Sequence, residues 1–345
     1  MILINNILDT VRTESPDSIL IITGKKSYLR TKFIDTIDEI NKEFKTTIWN
    51  YPKSYPDYNE IFHYAKEKRF DLIISFGGGT VIDVAKIISV GNYLKSYLDL
   101  FNKNNIKLSV KHICIPTTFG SGSESTSFAV IYRDNKKYSI QSEVILPTYT
   151  LLDHQYTSYL NGKNSYCSIM DSFCQSIESL WSINNTIESS KYALQSISLI
   201  SQCLNNIKNL TDENRQSLLI ASNLSGKAIN ITKTTAPHAF SYYLTINHNI
   251  CHGEAVSILF EKFINLNFSY IEDQNKNELM QILEINTKDD FINLFINLKS
   301  RLGFLSGLNE IKNLDIEEYS ESINVERLQN NPVKINPSKF IKSVI

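Results

Sequence analysis

Asp71-Leu72-Ile73-Ile74-Ser75-Phe76-Gly77-Gly78-Gly79-Thr80-Val81-Ile82-Asp83-Val84-Ala85-Lys86 is the stretch on which the fold turns. A short apolar run, closed by glycines and followed by an apolar-rich segment, reads as a strand, a turn and a helix over 81–90. A run apolar on both faces fits a strand of a parallel sheet, with helices above and below it. Three successive glycines allow positive φ and let a ligand approach the backbone closely. The helix behind them aims its free N–H groups at the turn, which makes the turn a seat for a pyrophosphate. The G-x-G-x-x-G spacing of the ordinary dinucleotide fingerprint is absent, so the phosphate reading rests on the glycines and the helix start. A plain strand-to-helix turn competes with it, but such a turn does not need three glycines.

Outward from this unit the alternation continues. Residues 18–24 and 46–50 read as strands, with helices over 32–44 and 59–68, and a further short strand covers 113–115. Strands alternating with helices imply an open parallel sheet with helices on both faces. The loop Pro116-Thr117-Thr118-Phe119-Gly120-Ser121-Gly122-Ser123-Glu124-Ser125-Thr126 is dense in hydroxyls and follows a strand directly. It therefore lies at the carboxyl end of the sheet, where ligands bind in open α/β folds. Phe128–Tyr132 and Lys137–Ile140 flank a polar turn and suggest a hairpin. From Thr157 the strand signal fades, and helices are predicted over 166–181, 188–207, 211–229, 252–266, 276–283 and 289–301. This divides the chain into an α/β dinucleotide-binding domain, 1–155, and a helical metal- and substrate-binding domain, 156–345.

The balance of 35 basic against 36 acidic residues gives no handle for nucleic acid or an anionic membrane. Five cysteines without a C-x-x-C pair argue against a disulfide scaffold and for a reducing compartment. The N-terminus lacks the basic-then-apolar layout of a signal peptide, and no apolar run approaches the roughly 20 residues that span a bilayer. The expected location is cytoplasmic.

The second half carries the chemistry. Three of the six histidines, His238, His248 and His252, fall between Thr234 and Glu254. Pro237 places His238 near a helix start, and the apolar run after Gly253 places His252 at the start of the next helix. Asp171 and Gln175 share one helix face among Ile169, Met170, Phe173, Cys174 and Ile177. A carboxylate in such company is costly to bury without a partner or a cation. One carboxylate and two imidazoles, with the Gln175 oxygen as a possible fourth ligand, suit Zn²⁺ or Fe²⁺. The competing reading is helix-end histidines satisfied by backbone carbonyls, and an Asp171 that caps or pairs with a neighbouring helix.

These motifs, in this order, resemble the iron-containing alcohol dehydrogenase family, related in fold to dehydroquinate synthase and glycerol dehydrogenase. Phe76–Lys86 is similar to the family's phosphate turn, and Pro116–Glu124 to its nicotinamide-side loop. Leu151-Leu152-Asp153 is similar to the close of its nucleotide domain, and Asn330-Asn331-Pro332-Val333 to its C-terminal end. Asp171, His238 and His252 resemble three of its four metal ligands. The resemblance implies an α/β domain with a parallel sheet followed by an all-α domain, a reaction between NAD(P)H and a small aldehyde or alcohol, a divalent Fe²⁺ or Zn²⁺, and a homodimer. It places the cofactor on Gly24, Gly77, Gly78, Gly79, Thr80, Asp83, Thr117, Thr118, Ser121, Thr126, Phe128, Lys137 and Leu152. It places the ion on Asp171, Gln175, His238 and His252, and the catalytic roles on His238, Tyr242 and His252.

Two departures stand out. The family usually carries histidine where Gln175 stands, and many members carry another where Tyr242 stands. Residues 171–179 and 226–238 are similar to a phosphonoacetaldehyde reductase subgroup. That similarity implies reduction of phosphonoacetaldehyde to 2-hydroxyethylphosphonate, with Lys227, Asn230 and Lys233 around the dianion. At Thr23-Gly24-Lys25-Lys26, NAD-preferring members resemble one another in carrying an aspartate. Its absence removes repulsion of a 2′-phosphate, so NADPH is expected to be tolerated. Another small-aldehyde dehydrogenase of the family, a sugar-phosphate cyclase of the dehydroquinate synthase type, and a metal-free binding protein are the alternatives.

Overall fold

The glycine-closed run 71–77 becomes the inner strand of a parallel sheet. The structure is a computed structural model that describes residues 1–25, 28–65, 68–91, 93–94, 97–102, 105–134 and 136–344. Its first elements are β1 (Ile2–Leu3), α1 (Ile7–Glu14), β2 (Ile19–Gly24), α2 (Phe33–Glu43), β3 (Thr46–Tyr51) and α3 (Tyr58–Ala65). There follow β4 (Leu72–Gly77), α4 (Gly79–Gly91), β5 (Lys111–Pro116), the hairpin β6 (Phe128–Arg133) and β7 (Lys136–Gln141), and β8 (Tyr149–Thr150). The six-stranded order is β1-β8-β5-β4-β2-β3, every pair parallel.

Successive side chains of the inner strands go to opposite faces. Leu20, Ile22 and Ile73 pack with α4 and the hairpin on one face. Ile19, Ile21, Leu72 and Ile74 pack with Phe33 and Ile37 of α2 on the other. The pattern of burial explains why these strands read as unbroken apolar runs. Helix α4 is apolar nearly all round because its outer side is covered too, by Ala129, Ile131 and Ile140 of the hairpin. β2 has β3 on one side and β4 on the other, so the order reverses between β2 and β4. The ends of those two strands, Gly24 and Gly77, thus stand at the crevice where open α/β sheets bind ligands. β1 and β8 were absent from the sequence expectation: two-residue strands carry no periodicity.

The remaining helices are α5 (Gly162–Trp181), α6 (Ile187–Leu204), α7 (Asp212–Thr232), α8 (Ala236–Asn247), α9 (His252–Ser257), α10 (Phe260–Asn267), α11 (Asp273–Ile282), α12 (Lys288–Leu302), α13 (Ile316–Glu321), α14 (Val325–Leu328) and α15 (Pro337–Val344). Compact packing separates residues 1–160 with 211–219 from residues 161–210 with 220–345. The first turns of α7 go with the sheet unit, although the sequence expectation puts them in the second domain. The reason is local: Arg215 donates to the carbonyls of Thr157 (2.7 Å) and Leu160 (3.0 Å), and Gln216 to that of Leu152 (3.0 Å).

In the helical unit α5 is the spine. Every residue from Ile169 to Trp181 is buried. Its serines are small enough for close packing and find partners: Ser176 donates to the Ser172 carbonyl at 2.9 Å, and Ser179 shares a 2.9 Å bond with Thr232. Phe260 stacks on Phe295 at 4.6 Å and Phe263 on Phe340 at 4.9 Å to fill the space beside it. The helix expected over 252–266 is two helices. Ser257 turns its hydroxyl back to the Glu254 carbonyl at 2.7 Å, which competes with the helix ladder, and Leu259 leaves helical geometry at φ −108°, ψ 10°. Among the described residues no helix is long and apolar enough to cross a membrane.

Candidate metal centre

Three polar residues project from the buried face of α5: Asp171, Gln175 and Glu178. Positions one and two turns apart on a helix share a face. His238 enters from the first turn of α8, which Pro237 starts, and His252 is the first residue of α9. One donor atom from each of Asp171, His238 and His252 lies within 4.8 Å of the others. His238 Nε2 is 3.1 Å from Asp171 Oδ1, and His252 Nε2 is 3.8 Å from the same oxygen. One carboxylate oxygen and two imidazole nitrogens, converging this closely, fit a divalent cation.

Glu178, which sequence reasoning missed, holds the other end of His238. Its carboxylate, fully buried, pairs with His238 Nδ1. It also accepts from the Thr235 backbone N–H (2.6 Å) and hydroxyl (2.8 Å). Trp181 Nε1 donates to the same hydroxyl at 2.9 Å. A carboxylate behind a histidine ligand fixes its tautomer, so that Nε2 presents its lone pair to the ion. The signal was available: an acidic residue two turns after Asp171, on a helix with no other charge from Ile169 to Trp181.

Burial by itself would lower the His238 imidazole, but the Glu178 charge and the bonds to Asp171 and Glu178 outweigh it, pushing it up to about 9. Burial would raise the Asp171 carboxyl, but the charges of His252 and His238 bring it below its usual range. The carboxylates thus favour positive charge at His238, and the imidazoles favour the ionised form of Asp171.

Gln175, expected as a possible fourth ligand, lies one turn from Asp171 and is hydrogen-bonded at both ends of its carboxamide. Its Nε2 donates to Asp171 Oδ1 at 3.1 Å, and its Oε1 accepts from Ser225 at 2.8 Å. The carboxamide thus bridges the aspartate and the serine. Tyr242 stacks its ring on His252, centroids 5.9 Å apart and planes 6° apart. Of the expected substrate residues, Lys227 lies 5.7 Å over the Tyr192 ring. Lys233, at φ 59°, turns its ammonium back to the Asn230 carbonyl at 3.1 Å, as a C-terminal cap of α7.

Gly253 explains how α9 reaches α5. A Cβ there would lie 1.8 Å from the Cys167 carbonyl oxygen and 3.0 Å from the Asp171 backbone nitrogen. Only glycine permits this backbone contact, which sets His252 beside Asp171.

In the sheet unit, most of the expected cofactor residues gather at the glycine turn. A Cβ at Gly77 would meet Val81 at 2.7 Å, one at Gly78 Thr118 at 3.1 Å, and one at Gly79 Ser121 at 2.8 Å. The turn and the hydroxyl loop therefore touch, so closely that the glycines leave no room for a Cβ. Lys86, fully buried, donates to Ser123 (3.0 Å), Thr126 (2.9 Å) and the Phe128 carbonyl (2.9 Å). Asp83 accepts from Ser123 and from the Val130 N–H at 2.9 Å. These two residues brace the loop. Thr80 is tied to the Ser54 carbonyl at 2.8 Å, and the Thr117 hydroxyl accepts from Tyr159 at 2.8 Å. Lys137 stands opposite Tyr132 in the hairpin. Gly24 ends β2, and Lys26 lies outside the described residues.

Residues 3–154 match the family model described as iron-containing alcohol dehydrogenase, and residues 166–344 match that of the Fe-containing alcohol dehydrogenase family, C-terminal. The chain belongs to the iron-containing alcohol dehydrogenase family. Among its relatives, the phosphonoacetaldehyde reductase of Streptomyces viridochromogenes is 27% identical over 212 residues, 58% of this chain and 54% of that one. The 4-hydroxybutyrate dehydrogenase of Clostridium kluyveri is 29% identical over 282 residues, 77% and 74% of the two chains. The match thus spans about half the length of the first relative and about three quarters of the second. The crystal structure of sulfoacetaldehyde reductase from Bifidobacterium kashiwanohense in complex with NAD+ superposes with a TM-score of 0.86 at 23% identity, covering 99% of this chain and 96% of that one.

Proposed function

We propose that this protein is a metal-dependent NAD(P)H oxidoreductase that reduces a small aldehyde, phosphonoacetaldehyde, to its alcohol, 2-hydroxyethylphosphonate. The observation that carries the reading is the convergence of Asp171, His238 and His252 on one point. The substrate is supported by the relatives: their names specify phosphonoacetaldehyde, 4-hydroxybutyrate and sulfoacetaldehyde, each a small molecule with an acidic group.

When bound, the divalent ion supplies a Lewis acid for the carbonyl oxygen and the nicotinamide supplies the hydride. The chain supplies position and charge. Asp171, His238 and His252 hold the ion; Glu178 keeps His238 in the tautomer that donates from Nδ1 and offers Nε2; Gln175 fixes the Asp171 carboxylate. The ring of Tyr242 fixes the plane of His252. Burial raises the Tyr242 hydroxyl above its usual value, so it stays a protonated donor. The proton that completes the alcohol enters from solvent at His252, whose side chain is 36% exposed against 3% for His238. The glycine turn at 77–79 and the hydroxyl loop carry the dinucleotide. No carboxylate stands at Gly24-Lys25 to repel a 2′-phosphate, so NADPH is tolerated beside NADH.

The test is NADPH oxidation by the purified full chain with phosphonoacetaldehyde, after chelation and after reloading with Fe²⁺ or Zn²⁺. Activity that disappears with chelation and returns with metal is expected. Absence of any metal-dependent turnover, with this or any other small aldehyde, rejects the reading.

A further inference from the structure

The hydroxyl loop leaves the sheet at Thr117 and Thr118, and the two threonines stand differently. Pro116 ends β5 opposite Gly77, the end of β4, and the Thr117 N–H donates to the Gly77 carbonyl at 3.0 Å. Thr117 is 1% exposed, and its hydroxyl accepts from Tyr159 at 2.8 Å. Thr118 is half-buried, and its side chain faces the glycine turn. A Cβ on Gly78 would lie 3.1 Å from Thr118 Cγ2 and 3.5 Å from its Oγ1. The first threonine is thus the buried anchor of the corner, and the second presents a hydroxyl beside the turn.

Tyr159 reaches this corner from a segment that is held on both sides. Arg215, in the first turns of α7, donates to the carbonyls of Thr157 (2.7 Å) and Leu160 (3.0 Å). The Leu160 N–H returns to the Thr157 carbonyl at 2.9 Å, and the Thr157 hydroxyl to the His154 carbonyl at 2.7 Å. With the chain fixed before and after it, the Tyr159 phenol is brought to one place. All of these residues belong to the sheet unit.

We propose that Tyr159 is a positioning residue for the dinucleotide. Through the Thr117 hydroxyl it holds the corner 117–118, so that Thr118 donates its own hydroxyl to a phosphate oxygen seated on the glycine turn. A hydroxyl bond to an ionised phosphate is charge-assisted, and a donor held in place keeps it without an ordering cost. This rests on the NAD(P)H-dependent reading above.

The test measures binding of NADPH or NADH, whichever wild type holds more tightly, by fluorescence titration of the full chain and its Y159F, T117V, T117S and Y159F/T117V variants. Y159F keeps the ring and loses one hydrogen bond, so Kd should rise about three- to tenfold. KM for the dinucleotide should rise with it, while kcat and the KM for the aldehyde stay at wild-type values, a split that a merely structural tyrosine would not give. ADP-ribose, which keeps the pyrophosphate and lacks the nicotinamide, should lose affinity by the same factor. Because Tyr159 acts through Thr117, Y159F/T117V should bind no more weakly than T117V alone, and T117S should bind as wild type does. A Y159F Kd within about twofold of wild type overturns the proposal, as do losses that multiply in the double variant or an unchanged affinity for ADP-ribose. Tyr159-dependent binding without reduction of any aldehyde would leave the positioning role standing and reject the reductase reading. Aldehyde reduction with an unchanged Kd in Y159F would reject Tyr159 and leave the reductase reading standing. Failure of wild type to bind either dinucleotide would reject both.

Discussion

Glu178 is fully buried and pairs with His238 at Nδ1, the ring nitrogen away from Asp171. E178Q keeps the shape and most of the bonds but removes the charge that draws the Nδ1 proton. Its affinity for Zn²⁺ should drop by about 10- to 100-fold, measured by competition with a chromophoric chelator; an affinity within threefold of wild type would show that His238 does not depend on it. Gly253 is the second such residue. G253A must move the start of α9 away from the Cys167 carbonyl, since no flexible side chain is there to yield. A loss of about 1–3 kcal/mol of stability is expected from such overpacking, together with weakened metal binding as His252 shifts. At this scale Asp171, His238 and His252 were legible because imidazoles and a carboxylate in apolar company have few other uses. The bond between Gln175 and Ser225 was not legible, because Ser225 lies on another helix and spacing along α5 says nothing about that hydroxyl.

Elements carry their own predictions. The glycine turn works only if α4 starts close behind it. A Cβ at Gly77 would strike the branched carbons of Val81 at 2.7 Å, on the stiff first turn of α4; one at Gly79 would strike the hydroxyl and Cβ of Ser121 at 2.8 and 2.9 Å. G77A and G79A should therefore each weaken NADPH binding by about tenfold or more in a fluorescence titration; wild-type affinity in both would argue that the turn is not held this tightly. The α10–α12 contact is fixed by buried Lys299, which donates to Glu261 (2.8 Å) and to the carbonyls of Ile258 and Ser306 (both 3.1 Å). K299M leaves Glu261 uncompensated and should cost about 3–5 kcal/mol, read by urea unfolding. Inner strands and long helices were legible because their periodicity repeats over many residues. The break between α9 and α10 was not, since it arises where a serine hydroxyl turns back on the chain in an otherwise apolar run.

For the whole molecule, the donors Asp171, His238 and His252 all belong to residues 161–210 and 220–345. An ion bound there stabilises that unit by RT ln(1 + [L]/Kd), about 2.7 kcal/mol at a hundredfold excess over Kd. Calorimetry with and without chelator should show heat absorption shifted for the helical unit, and D171N should abolish the shift. A metal-independent profile in wild type would contradict the centre. Read alone, the chain was enough to establish an open parallel sheet with a glycine turn, a helical second half and the three donor residues. Those features are written in local periodicity and in side chains whose chemistry is unusual for their surroundings. Folding settled what local pattern cannot carry: that Glu178 backs His238, that Gln175 bonds Asp171 and Ser225, and that Gly253 admits the backbone of α5. Each of these depends on residues distant in the chain meeting within a few ångströms, and no spacing along a single element encodes which surfaces will be pressed together.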